Sequence, residues 1–213
     1  MAMRKEPNMK PMILMGSLAL ATALWACNTG DPTVGFRYPE NGGGGTGGTG
    51  NVGGSTGDGF CTTEENQAVY DNLTYTDRLG ETSEGDEAAS AIGSHCIGLA
   101  PTEANLPDGV EDCLPEAGAV LDCAPACSND VILALADCVA TCTQNATAAL
   151  SPPGLDDNCV SCTGDTVACG AASCVRECSG DTDAPACIQC RCDNNCIQEF
   201  DACSGLPSGG ECG

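Results

Sequence analysis

Apolar positions along this chain fall into three regimes. From Pro11 to Ala26 they are almost continuous (PMILMGSLALATALWA), from residue 28 to 59 they nearly vanish, and beyond Cys61 they return at helical spacings between acidic caps. The third regime predicts helices. Thr62-Thr63-Glu64-Glu65 opens one through Leu73, and Asp86 opens another through Ile92 and Cys96. Ser128-Asn129-Asp130 offers caps before Val131-Ile132-Leu133-Ala134-Leu135-Ala136, the longest apolar run after the first. Leu and Ala dominate that run and it joins Cys138 and Cys142 in a 3.6-residue period, so helix is preferred over strand. Cys192, Cys196, Phe200 and Cys203 continue a stripe at i, i+4, i+8 and i+11, with Asp193 near the expected helix start. Cys123/Cys127, Cys138/Cys142, Cys174/Cys178 and Cys192/Cys196 all have the i, i+4 spacing that shares a helix face. The expected fold is mainly α: a small disulfide-rich domain of short helices over residues 61–213.

The first regime reads differently. Arg4, Lys5 and Lys10 precede an apolar stretch too short to span a bilayer, which takes roughly 20 residues, but of the right length for a secretory signal. It ends in Leu24-Trp25-Ala26-Cys27, which resembles the lipobox of bacterial lipoproteins: Leu three residues before the Cys and a small residue directly before it. The resemblance implies a signal over residues 1–26, cleavage before Cys27, a diacylglycerol on its thiol and an acylated amine. Asn28 stands where Asp would imply inner-membrane retention, so the same resemblance points to the outer membrane or cell surface. The alternative is ordinary cleavage near Ala21-Thr22-Ala23, leaving Cys27 a plain thiol.

Residues 27–60 would then be the lipidated Cys and its tether. Residues 28–59 carry 13 of the 28 Gly with Thr, Ser and Asn between them, a disordered linker by composition with a span on the order of 30 Å. Gly53-Gly54-Ser55-Thr56-Gly57 matches a hydrolase nucleophile pattern, but glycine coil supplies neither the strand nor the helix that pattern needs.

Composition sharpens the picture of the third regime. The chain has 30 Asp+Glu against 7 Lys+Arg, a net charge of −23, and only 3 Phe, 3 Tyr and 1 Trp. Nucleic acid is excluded as a direct partner, because binding it requires clustered cations. A core so poor in bulky side chains is marginal for this size, and cross-links must offset the deficit. Setting Cys27 aside, the 19 cysteines leave an even 18: Cys61, Cys96, Cys113, Cys123, Cys127, Cys138, Cys142, Cys159, Cys162, Cys169, Cys174, Cys178, Cys187, Cys190, Cys192, Cys196, Cys203 and Cys212. Export to an oxidising compartment permits them to pair, in any of roughly 3×10⁷ connectivities.

Cys123-x3-Cys127-x10-Cys138-x3-Cys142 resembles the twin C-x3-C hairpins of mitochondrial intermembrane-space proteins. There the intervening residues form a loop, whereas here they are the strongest helix candidate. One helix would hold Cys127 and Cys138 about 16 Å apart, beyond the reach of a disulfide. An internal repeat is the better reading. Cys159-Val160-Ser161-Cys162 opens a unit closing at Cys178-Ser179-Gly180, and Cys187-Ile188-Gln189-Cys190 opens another closing at Cys203-Ser204-Gly205. The units span 159–180 and 187–205, each with a closing Gly suited to a helix C-cap. With the lipobox and linker, this pattern is similar to the cysteine-rich lipoproteins of myxobacteria and related predatory or gliding bacteria. That resemblance implies no activity.

Candidate chemistry is sparse. Cys159, Cys162, Cys187 and Cys190 superficially suggest a zinc ribbon, but the gap between the pairs is long and the exported context favours disulfides. His95 adjoins Cys96, yet a Cys/His nucleophile needs a free thiolate. Carboxylate pairs such as Asp156/Asp157 and Asp181/Asp183 read as solvated surface. Clusters at Glu84-Asp86-Glu87, Glu111-Asp112 and Asp181-Asp183 offer oxygen ligands for weak calcium binding, without an EF-hand loop. No cofactor and no catalytic residue are expected. The sequence therefore reads as a non-catalytic, lipid-anchored structural or binding module, held to the membrane by its lipid and biased toward cations or basic proteins. The alternatives are a secreted disulfide-rich inhibitor or effector, and a metal-binding protein.

Overall fold

The computed structural model of the chain describes residues 59–98, 104–179, 182, 184–207 and 212. The expected signal segment, Cys27 and all but the last residues of the expected tether lie outside these residues, as do Gly180, Asp181 and Asp183. The described chain is mainly helical, as its patterning predicts. A 3-10 turn at Phe60–Thr62 leads into α1 (Glu64–Tyr70), a hairpin of β1 (Thr74–Thr76) and β2 (Thr82–Glu84), α2 (Gly85–Cys96) and α3 (Leu114–Cys123). Then follow α4 (Asn129–Leu150), α5 (Asp157–Cys178), α6 (Pro185–Asp193) and α7 (Cys196–Ser204).

Helix starts follow local chemistry. The Thr63 hydroxyl accepts a bond from the Asn66 amide at 3.2 Å, and Glu64 and Glu65 sit at the positive end of α1. That helix stops at Tyr70, short of the expected Leu73, and the chain turns so that Leu73 enters the core at 1 % exposure. α2 and α4 begin within a residue or two of their expected starts.

Two of the helices are long: α4 spans 22 residues with no Pro to interrupt it, and α5 spans 22 with a kink at Cys174. Two expectations need correction. The Cys192-to-Cys203 stripe is not one helix. Asn195 adopts a left-handed conformation (φ 60°), so Cys192 belongs to α6, Cys196 opens α7, and Asp193 closes a helix instead of starting one. Its carboxylate accepts from Gln189 at 2.7 Å. Nor do Cys123 and Cys127 share a helix face, because α3 ends at Cys123 and Pro125 follows. The antiparallel hairpin, pairing Thr74 with Glu84 and Thr76 with Thr82, has no counterpart among the expected elements.

α4 and α5 form the centre and run antiparallel: Gln144 near the end of α4 donates to Asp157 at the start of α5, while Ala136 lies against Gly164 further back. A Cβ on Gly164 would stand 2.3 Å from the Ala136 carbonyl oxygen, so only glycine permits this approach. The core around this seam is built from Leu73, Ile92, Leu135, Val139 and Leu155, small alanines, and cystines. Among the described residues α4 alone is long and apolar enough to cross a membrane. Its Ile132, Leu135 and Val139 are buried in the protein core, and disulfides hold it to α2 and α3.

Candidate functional site

Ten of the 18 predicted disulfide cysteines meet at α5, five on the helix and five bonded to it. Asp156 caps this helix by accepting from the Asn158 and Cys159 amides, both at 2.9 Å. Five cysteines project from it: Cys159 bonds Cys61, Cys162 bonds Cys203, Cys169 bonds Cys196, Cys174 bonds Cys190 and Cys178 bonds Cys187. Cys162 and Cys169 are seven apart and so face one direction, toward α7. A non-helical residue at Cys174 (φ −125°, ψ 19°) re-aims the last turn toward α6. Cys96–Cys142 and Cys113–Cys138 tie α2 and α3 to α4, Cys123–Cys127 closes the α3–α4 connection, and Cys192–Cys212 fastens the C-terminal segment. All 18 cysteines beyond Cys27 are thus paired. The two C-[VI]-x-C units bond to each other through four bridges, Cys162–Cys203, Cys169–Cys196, Cys174–Cys190 and Cys178–Cys187.

This framework decides several of the chemical candidates. Cys159, Cys162, Cys187 and Cys190 have four different disulfide partners, so they do not form a common thiolate set. Cys138 and Cys142 pair with Cys113 and Cys96 and Cys127 with Cys123, so the twin C-x3-C pairing does not occur. Cys96 is bridged and supplies no thiolate to His95. Asp156 and Asp157 are engaged separately, by Asn66 and by Gln144. Glu84, Asp86, Glu87, Glu111 and Asp112 are exposed at helix starts, and no group of three or more metal-ligating side chains occurs among the described residues. The Asp181-Asp183 cluster lies outside them.

His95 has a structural setting. It is 9 % exposed, and its Nδ1 lies 2.7 Å from the Tyr75 hydroxyl. That hydroxyl also accepts from the Asn105 backbone amide at 2.8 Å. Burial pushes the Tyr75 hydroxyl above its ordinary pKa. Above this chain of bonds lies an open groove of about 380 Å³ lined by Thr74, Thr76, Asn105, Pro107, Asp108 and Leu150. It is lined by hydroxyls, an amide and one carboxylate.

One constellation escaped the sequence reading. Cys162-x2-Asp165-x3-Cys169 on α5 and Cys196-x2-Glu199-x3-Cys203 on α7 have the same spacing and bond antiparallel, which brings the two acids to one level of the seam. Glu199 Oε2 is buried there without a hydrogen-bond partner among the described residues. Loss of water, then the charge of Asp165, pushes the Glu199 carboxyl up to about 7. Two cysteine pairs each seven apart, with an acid at the fourth position, were the available signal. Among known proteins, no family model, curated protein or solved structure matches this chain.

Proposed function

We propose that this chain is a lipid-anchored cell-surface module, structural or binding in role and without catalysis. Cys27 is its acylated N-terminus, residues 28–59 its tether, and the helical domain the part presented outward. The observation that carries the reading is cysteine bookkeeping: every cysteine from Cys61 to Cys212 has a partner within the domain, leaving Cys27 at the end of Leu24-Trp25-Ala26 for another fate. Several acyl chains at about 0.8 kcal/mol per buried CH₂ would hold such a protein permanently. The similarity to cysteine-rich lipoproteins of gliding bacteria supports the same reading, and the acidic surface favours cations or basic proteins as partners.

Intact mass of the native, full-length product, with and without reduction, tests it. Acylated Cys27 and a gain of about 18 Da on complete reduction, two hydrogens for each bridge, are expected. A mature chain starting elsewhere, with no lipid, overturns the anchor and leaves a secreted inhibitor or effector as the reading. A much smaller gain shifts weight to metal binding.

A further inference from the structure

Eight of the nine disulfides contain at least one buried cysteine, whereas Cys123–Cys127 contains none. It also closes the shortest loop, with a sequence separation of 4 against 9 to 98 for the others. It joins no two packed helices. It rings Ala124-Pro125-Ala126 in the connection between α3 and α4, while Cys113–Cys138 holds the start of α3 to α4 and Cys96–Cys142 holds α4 to α2. We infer that Cys123–Cys127 is a thiol–disulfide exchange site, opened by a dithiol while the other eight bridges and the fold persist.

The two sulfurs are electrostatically unlike. Cys123 is the last residue of α3, at the negative end of that helix and next to Asp122, which disfavours a thiolate. Cys127 directly precedes Ser128, the N-cap of the 22-residue α4, where the positive helix end favours one. Exchange runs fastest when the better-stabilised thiolate leaves. The incoming thiolate therefore attacks Cys123 Sγ, the S–S bond breaks, and its electron pair departs on Cys127 Sγ, which then takes a proton. The reagent's second thiol attacks its own sulfur in the mixed disulfide and releases Cys123 as a thiol. The dithiol is oxidised to a disulfide, and the Cys123/Cys127 pair gains two electrons and two protons.

The test is a dithiothreitol titration of the full chain under native conditions, followed by alkylation, peptide mass mapping and circular dichroism. Expected is alkylation of Cys123 and Cys127 at about tenfold lower reductant than any other pair, with helicity unchanged. Another pair opening first, or all bridges and the helicity lost together, overturns the inference. A monothiol arm, quenched by acid, is expected to trap the mixed disulfide on Cys123, and trapping on Cys127 overturns the direction of attack. The Cys123→Ser, Cys127→Ser double variant is expected to fold and to lack the early phase. If it retains that phase, or if it cannot fold, the site is not the one named.

Discussion

Asp165 on α5 and Glu199 on α7 are held level with one another between two covalent rungs, Cys162–Cys203 and Cys169–Cys196. The helices cannot part to relieve two like charges, and among the described residues Glu199 Oε2 has no hydrogen-bond partner to stabilise its ionised form. Its carboxyl accordingly holds its proton to about 7, from an ordinary value of 4.5.

Because the folded pKa is raised, folding takes up a proton between those values. The stabilisation is fully present below about 4.5, declines as pH rises toward 7, and changes no further above it. Urea midpoints measured from pH 5 to 8 for the wild type and Glu199→Gln check this. The difference between them is expected to widen with pH in favour of the variant, then level off. A difference that stays constant over that range would place the Glu199 titration elsewhere.

A second polar contact spans 90 residues and stabilises the domain instead. Asn66, 1 % exposed, donates to Asp156 Oδ2 at 2.7 Å and to the Phe60 carbonyl at 2.8 Å, and its Oδ1 accepts from the Asp156 amide at 3.0 Å. Asn66→Ala strands the Phe60 carbonyl and the Asp156 amide, at a cost of about 2 kcal/mol. Asn66→Asp is expected to cost more at neutral pH, by setting a second carboxylate against Asp156, and to recover as the pH is lowered. Chemical denaturation at pH 7 and pH 4 separates the two effects.

The α4–α5 seam offers a paired test of packing. Gly164→Ala drives a Cβ into the Ala136 carbonyl and is expected to lose about 2 kcal/mol, since backbone cannot yield as a side chain would. Gly170 lies on the same helix with nothing within 4 Å of its added Cβ. Gly170→Ala should therefore gain about 0.5 kcal/mol from the helix propensity of Ala. Thermal melts of the two variants moving in the same direction would contradict the close approach.

Polar and acidic residues beside the first apolar repeat made α1, α2 and α4 legible in the sequence, at Thr63, Asp86 and Ser128-Asn129-Asp130, although of these only Thr63 makes a side-chain cap bond. The same period misled at α6 and α7. Cys192 and Cys196 keep an i, i+4 spacing across the break, and only the left-handed Asn195 interrupts the backbone. Strands of three residues are too short to display a two-residue alternation, and the turn joining them depends on Asp77 Oδ1 accepting from the Leu79 and Glu81 amides. That every cysteine past Cys27 can pair was readable from parity. Which ones pair depends on helix orientation, and only the matched seven-residue spacings of Cys162/Cys169 and Cys196/Cys203 signalled it.

The longest bridge should matter most to stability. Cys61–Cys159 has a separation of 98, and it fixes the 3-10 turn to the first turn of α5. The Tyr70 hydroxyl lies 3.2 Å from Cys159 Sγ and, since a bridged sulfur has no proton, is the donor. Burial, with Asp86 and Asp156 adding to it, keeps that hydroxyl protonated far above its ordinary range. Bridges inside the loop shorten its free length to roughly half, which still leaves about 4 kcal/mol of chain entropy to be regained by the unfolded state on cutting it. Loss of the Tyr70 contact adds about 1 kcal/mol. For Cys123–Cys127 the same reasoning gives about 2 kcal/mol, because its loop is so short. Guanidinium unfolding of Cys61→Ala, Cys159→Ala beside Cys123→Ser, Cys127→Ser is therefore expected to show at least a twofold difference in lost stability. Equal losses would mean that the long bridge restrains an already ordered unfolded chain, and that packing around Tyr70 and Leu73 holds the N-terminal segment without it.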